Sequence, residues 1–214
     1  MSNSLRDKVV VVTGASSGIG RSIALESASR GATVILMARH QDKLEEIANE
    51  ARQLSGNEVY VFPTDISKAD QIDRAFNEIV SHVDHIDYLV NAAGFGVFKE
   101  FLETSPQVMT EMFQTNVLGL MYFTRLVARV MIDQKQGQII NFGSIAGIVP
   151  TTKTAVYSAN KAAIIQFSNV LRLELKPFGV KVMTVNPGPV YTNFFNIADE
   201  SGSYVNNVQR FMLD

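Results

Sequence analysis

The sequence predicts an α/β protein: a doubly wound parallel sheet with helices on both faces, folded as a single domain over residues 1–214. Three observations carry this expectation. Six short β-branched runs alternate with helical stretches along the chain. The runs are almost continuously apolar, as strands covered on both faces are. No linker, low-complexity segment or internal repeat divides the 214 residues, a length that one core can serve.

The first run, Lys8–Thr13 (KVVVVT), passes into TGASSGIGRSIALE and a helix around 18–30. Gly14, Gly18 and Gly20 lie between strand and helix, where a phosphate can meet bare backbone N–H groups and the positive end of a helix dipole. Their G-x-x-x-G-x-G spacing is a variant of the Rossmann-like dinucleotide fingerprint, and a tight turn eased by glycine is the competing reading. A P-loop is disfavoured, because its first glycine position is Ala15 and its lysine position is Arg21.

The second run, Ala32–Ala38 (ATVILMA), precedes a helix around 41–54. Sites selective for NAD usually place an acid at this strand end, on the ribose hydroxyls. Here Arg39 and His40 follow, and the first acid, Asp42, opens the next helix. A guanidinium there forks onto a 2′-phosphate, so NADP(H) is expected over NAD(H). The alternative for Arg39 is a solvated surface charge.

Glu58–Phe62 (EVYVF) and Asp87–Asn91 (DYLVN) flank a helix around 68–83. His82 and His85 stand near the turn before the fourth strand with no further ligand to complete a metal set, and no metal is expected. Ser105-Pro106 supplies a cap and a first helical residue for a helix over 105–135. On it Asn116 falls in register with Met109, Met112 and Leu120, so it faces inward, as a core hydrogen bond or as a site residue.

Gln138–Phe142 (QIINF) is followed by Ser144, at the carboxyl edge where open α/β sheets bind ligands. Phe142 and Ala146 replace the glycines of G-x-S-x-G, which argues against a serine hydrolase. A helix over 155–178 and the run Val180–Val185 (VKVMTV) complete the pattern. The polar stretch from Asn186 holds no seventh run, so either the fold closes at six strands or the chain lacks its C-terminal portion.

Composition narrows the partners. Apolar residues make up 46% and charged residues 19%, with a net charge of −2 and a pI of about 5.9, which gives no reason to expect nucleic acid or an anionic membrane. No apolar run approaches the roughly 20 residues of a membrane span. The N-terminus enters its first strand without a signal-peptide pattern, so a cytoplasmic location is expected. With no cysteine there are no disulfides or thiolate sites.

AVYSANKAAIIQF, residues 155–167, sets Tyr157 and Lys161 one helical turn apart among apolar residues. A tyrosine near its ordinary pKa of about 10 is a poor acid at neutral pH, and moving it near 7 takes roughly 4 kcal/mol. A cation about 4 Å away contributes that much at an effective dielectric of about 20. By itself Y-x-x-x-K is a weak signal, because most such pairs are solvated helix faces.

Together, TGASSGIG at 13–20, Asp65, NAAG at 91–94, Asn116, Ser144, YSANK at 157–161 and NPGPVYT at 186–192 resemble the short-chain dehydrogenase/reductase family, in order from Lys8 to about Thr192. The chain looks most like its poorly characterised bacterial oxidoreductases. The resemblance implies Tyr157 as general acid/base, Ser144 orienting the substrate carbonyl, Lys161 on the nicotinamide ribose, and Asn116 holding a water of a proton relay. It implies Gly14, Ser16, Ser17, Gly18 and Ile19 against the dinucleotide, with Arg39 on its 2′-phosphate. It further implies Asp65 and Ile66 at the adenine, Asn91 along the adenosine side, and Pro187, Gly188, Val190 and Thr192 beside the nicotinamide.

The implied activity is hydride transfer between NADP(H) and a carbonyl/alcohol substrate, as in a ketone or aldehyde reductase. By the same resemblance residues 193–214 would form the substrate lid, with Phe194, Phe195, Ile197 and Tyr204 expected as either apolar walls or lid packing. A homodimer or homotetramer is expected, although the family's usual last helix and strand have no counterpart here. The alternatives are a non-catalytic NADP(H)-binding sensor or scaffold and, among enzymes, a 3-oxoacyl-thioester reductase.

Overall fold

In β1 (Val9–Thr13) every side chain is buried. Side chains alternate across a strand, so this requires cover on both faces. Val9 and Val11 enter one core and Val10 and Val12 the other. The computed structural model describes residues 5–190, 193–199 and 202. After β1 come α1 (Gly18–Ser29), β2 (Thr33–Ala38), α2 (Gln41–Ser55), β3 (Val59–Pro63), α3 (Ala69–His82), β4 (Tyr88–Asn91) and α4 (Pro106–Phe113). Then follow α5 (Leu120–Gln134), β5 (Gly137–Phe142), α6 (Ala155–Leu175), β6 (Val180–Val185) and the short α7 (Asn193–Ala198).

All six strands are parallel, in the order β3-β2-β1-β4-β5-β6. The α/β expectation therefore holds. Ala24, Ala28, Leu44 and Ile47 bring α1 and α2 onto one face, while Ile72, Ile79, Phe123, Val127 and Met131 bring α3 and α5 onto the other. Winding reverses between β1 and β4, whose ends pair Thr13 with Asn91, and ligands bind open α/β sheets at such a switch point. Among the described residues no helix is long and apolar enough to cross a membrane.

Two elements depart from expectation. β6 is not apolar on both faces: Val180 and Val182 are buried, whereas Lys181 and Met183 are exposed. The helix expected over 105–135 is interrupted. Ser105 accepts a hydrogen bond from Val108 N at 3.3 Å, and Pro106 takes the first position of α4, but Gln114–Gly119 is a π-helical turn before α5. Asn116 sits in this widened turn and is 1% exposed. Its amide N donates to Phe95 O at 2.8 Å and its Oδ1 accepts from Phe95 N at 2.9 Å. π-Turns inside helices concentrate at functional sites.

A buried polar chain ties α6 to the sheet. Asn91 Nδ2 donates to Thr124 Oγ1 (2.8 Å) and Asn141 Oδ1 (2.9 Å), Asn141 Nδ2 donates to Ser168 Oγ (2.9 Å), and Ser168 donates to Ile164 O (2.7 Å). Buried polar groups lose about 1–3 kcal/mol when stripped of a partner. We expect Asn141→Leu to lower unfolding free energy by roughly that amount, measured by urea denaturation with the slope unchanged.

Candidate active site

A cavity of about 360 Å³ opens along the carboxyl ends of the strands. Its first wall is the β1–α1 turn. Gly14 has φ +69°, and a Cβ there would lie 2.7 Å from Ala93 Cα, so the chain can pass only as glycine. Gly20 faces the Gly14 carbonyl at a range no side chain tolerates. Ser17, at the N-cap of α1, makes no side-chain capping bond. The first-turn N–H groups therefore remain for an acceptor from outside, and this glycine cradle fits a dinucleotide phosphate.

Gly14, Ser16, Ser17, Gly18, Ile19, Arg39, Asp65 and Ile66 all line this cavity. Arg39 is exposed at the end of β2, and Asp42 stands inside the first turn of α2. Asp65 Oδ1 accepts from Ser67 N at 3.0 Å and Ser67 Oγ at 2.7 Å, which fixes the loop after β3. Pro187, Gly188 and Val190 line the other end, and Thr192 lies outside the described residues, as does Tyr204.

Ser144, Tyr157 and Lys161 share the wall between β5 and α6. Backbone bonds from Gly143 N to Val185 O (2.9 Å) and from Ile145 N to Pro187 O (3.0 Å) hold the Ser144 turn against the loop after β6. Gly147 lets that turn lie on α6, since a Cβ would come 2.8 Å from Lys161 C. Ser144 Oγ accepts from Ala146 N at 3.1 Å, so its own proton is available to donate.

On α6, Lys161 Nζ lies 5.6 Å from the Tyr157 ring centroid and donates to Phe142 O at 2.8 Å. Tyr157 is 8% and Lys161 9% exposed. Burial lowers the Lys161 pKa to about 8. At neutral pH the ammonium is retained, with two N–H groups beyond the one held by Phe142.

Two expected residues stand off the cavity. The Asn91 side chain points into the core, toward Thr124 and Asn141, instead of lying along a ligand. The residues that follow it, Ala92–Gly94, do reach the lining. Asn116 is likewise outside the lining, its amide engaged by Phe95. Sequence reasoning missed Gly96 and Phe98, which do line the cavity. The FGVF that follows NAAG was the available signal.

Known proteins share this frame. The family model for short chain dehydrogenase matches residues 8–201. An uncharacterised oxidoreductase of Staphylococcus aureus (strain MRSA252) is 36% identical over 188 residues, covering 88% of this chain and 80% of the relative. A short-chain dehydrogenase from Sphingobium yanoikuyae in complex with NADPH superposes with a TM-score of 0.84 at 30% identity, covering 89% of this chain and 75% of its own. An NAD+-bound xylitol dehydrogenase gives 0.84 at 29%, covering 87% and 72%. The chain belongs to the short-chain dehydrogenase family and is an oxidoreductase of that class.

The depressed pKa of Lys161 has a stability consequence. Between about pH 8 and the unfolded value of 10.5, the unfolded chain binds the proton that the folded chain has released, so this group's contribution to stability rises with pH. We expect Lys161→Met to be more stable than wild type at pH 7 and the gap to shrink by pH 9.5. Guanidinium denaturation at both pH values checks this.

Proposed function

We propose that this chain is an NADP(H)-dependent ketone or aldehyde reductase, working as an alcohol dehydrogenase in reverse, with Tyr157 as general acid/base. The observation that carries the reading is the buried Tyr157–Lys161 pair beside Ser144 on the same cavity as the glycine turn. When bound, the dinucleotide would supply or accept the hydride at the carbonyl carbon. Gly14, Ser16, Ser17, Gly18 and Ile19 would hold its phosphates, Arg39 its 2′-phosphate, Asp65 and Ile66 its adenine, and Pro187, Gly188, Val190 and Thr192 its nicotinamide end.

In the reductive direction Ser144 Oγ–H donates to the substrate carbonyl oxygen, and Tyr157 O–H delivers the proton that converts this oxygen to a hydroxyl. The Lys161 ammonium stabilises the tyrosinate left behind, and its free N–H groups serve the ribose hydroxyls. Because the Asn116 amide is engaged by Phe95, a relay water would be held by its main chain or its remaining N–H. The segment from Asn193 onward acts as the substrate lid, and the working protein is a cytoplasmic homodimer or homotetramer.

Tyr157→Phe should lower kcat at least about 100-fold, the usual share of a general acid, with NADPH affinity within about threefold by fluorescence titration. Near-wild-type rates across ketones and aldehydes would remove Tyr157 from the mechanism. Arg39→Asp should shift the NADPH/NADH ratio of kcat/KM by about 10- to 100-fold toward NADH, since a charge-assisted bond is lost and a repulsive charge gained. Wild-type protein binding NADH more tightly than NADPH would refute the 2′-phosphate role of Arg39.

A further inference from the structure

The cavity has two chemically different halves. The side chains Arg39, His40 and Asp65 in its lining follow β2 and β3, on one side of the sheet's switch point. Strands lie about 4.8 Å apart, so the ends of β4 and β5 are some 10–15 Å from the end of β2. At that far end Gly96, Phe98, Ala146, Phe194 and Phe195 surround Tyr157 beside Ser144, and among the described lining residues there Lys161 is the charged side chain.

The aromatic residues make one contiguous wall. Phe98 meets Tyr157 edge-on at 5.3 Å between centroids, Phe194 tilts against Tyr157 at 5.7 Å, and Phe194 meets Phe195 at 5.5 Å and 89°. Phe98 also stands 6.0 Å from Phe195. A bond from Phe98 N to Ala198 O at 2.7 Å fastens α7 to the loop after β4, which keeps the three rings over the tyrosine. Gly96 forms the floor of the box. A Cβ there would lie 2.9 Å from Phe194 Cζ, 3.1 Å from Phe98 Cε1 and 3.2 Å from Tyr157 Cδ2. The apolar surface continues outward, with Ile145 and Ile197 both lining the cavity and exposed.

We propose that Phe98, Phe194 and Phe195 are the specificity-determining residues for the group beside the reacting carbonyl. The substrate class is then uncharged ketones and aldehydes that carry an aryl or comparably bulky apolar substituent. This rests on the carbonyl-reductase reading above. The chemistry is selective in both directions. A flat apolar group exchanges Phe–Phe contacts for contacts with itself and favours the edge-to-face and tilted geometries already present. Among the described lining residues of this half, a carboxylate or phosphate at the same place would find no cation except Lys161, whose charge the tyrosine needs.

The test uses a matched pair, acetophenone and 4-acetylbenzoate, which differ by one charged group, with propanal as a small reference. Turnover with NADPH should favour acetophenone over 4-acetylbenzoate in kcat/KM by about 100-fold or more, as expected for burying an unpaired carboxylate. Phe194→Ala should lower the acetophenone/propanal ratio of kcat/KM at least about tenfold through lost ring contacts, and Gly96→Ala should do so by narrowing the box. Saturation-transfer NMR on the full chain with NADP+ reads binding independently of turnover, and acetophenone should give the stronger effect. Equal or better turnover of 4-acetylbenzoate, or ratios unmoved by both variants, would overturn the aromatic box while leaving the reductase reading intact. If no carbonyl is turned over, the reductase reading falls. The NMR pair then decides the box: preference for acetophenone supports it and no preference overturns it.

Discussion

One buried ammonium organises the site. Lys161 gives one hydrogen bond to the carbonyl of Phe142, the last residue of β5, and stands one helical turn above Tyr157. A charge this deeply buried is costly, as its lowered pKa of about 8 records. The surroundings are built to keep it in place. Gly147 lets the Ser144 turn lie on the helix beside it, and the Asn91–Asn141–Ser168 chain anchors the same helix two turns further on. The position of Tyr157 relative to Ser144 follows from how α6 is seated on β5.

The second constraint is backbone space. Gly14 must pass Ala93, Gly20 must pass the Gly14 carbonyl, and Gly119 must pass the Ile66 carbonyl. The first and third approaches join segments on either side of the switch point, and the cavity runs from the β3 loop to the loop after β6. The cradle offers bare N–H groups that fit phosphates, and the far half is closed by rings. A single cleft thus presents polar and apolar surface to the two ends of a reaction.

Much of this was legible in the sequence for identifiable reasons. Strands buried on both faces write themselves as VVVVT and TVILMA, and glycines forced by backbone contact appear at fixed spacing after the first strand. Tyr157 and Lys161 were legible because polar residues four apart on a core helix break its pattern. The π-turn was not: Thr115, Asn116, Val117 and Gly119 are weak helix formers, which does not specify a π-turn, and the backbone it meets, at Phe95 and Ile66, is distant in sequence. Asn91 was read toward the ligand because it opens a family motif, yet Thr124 and Asn141, distant in sequence, turn it inward. Phe98 belongs to no sequence motif, and its place in the site follows from packing with Tyr157 and with α7, which the Phe98 N–Ala198 O bond seats beside it.

In the proposed function this cavity moves a hydride between NADPH and a carbonyl. The most direct measurement uses NADPH dideuterated at nicotinamide C4, incubated with the protein and either propanal or acetophenone, with the product analysed by mass spectrometry. The expected product is an alcohol bearing one deuterium on its carbinol carbon and a hydroxyl proton drawn from solvent. Cofactor consumed without alcohol, or alcohol formed without the label, would contradict it.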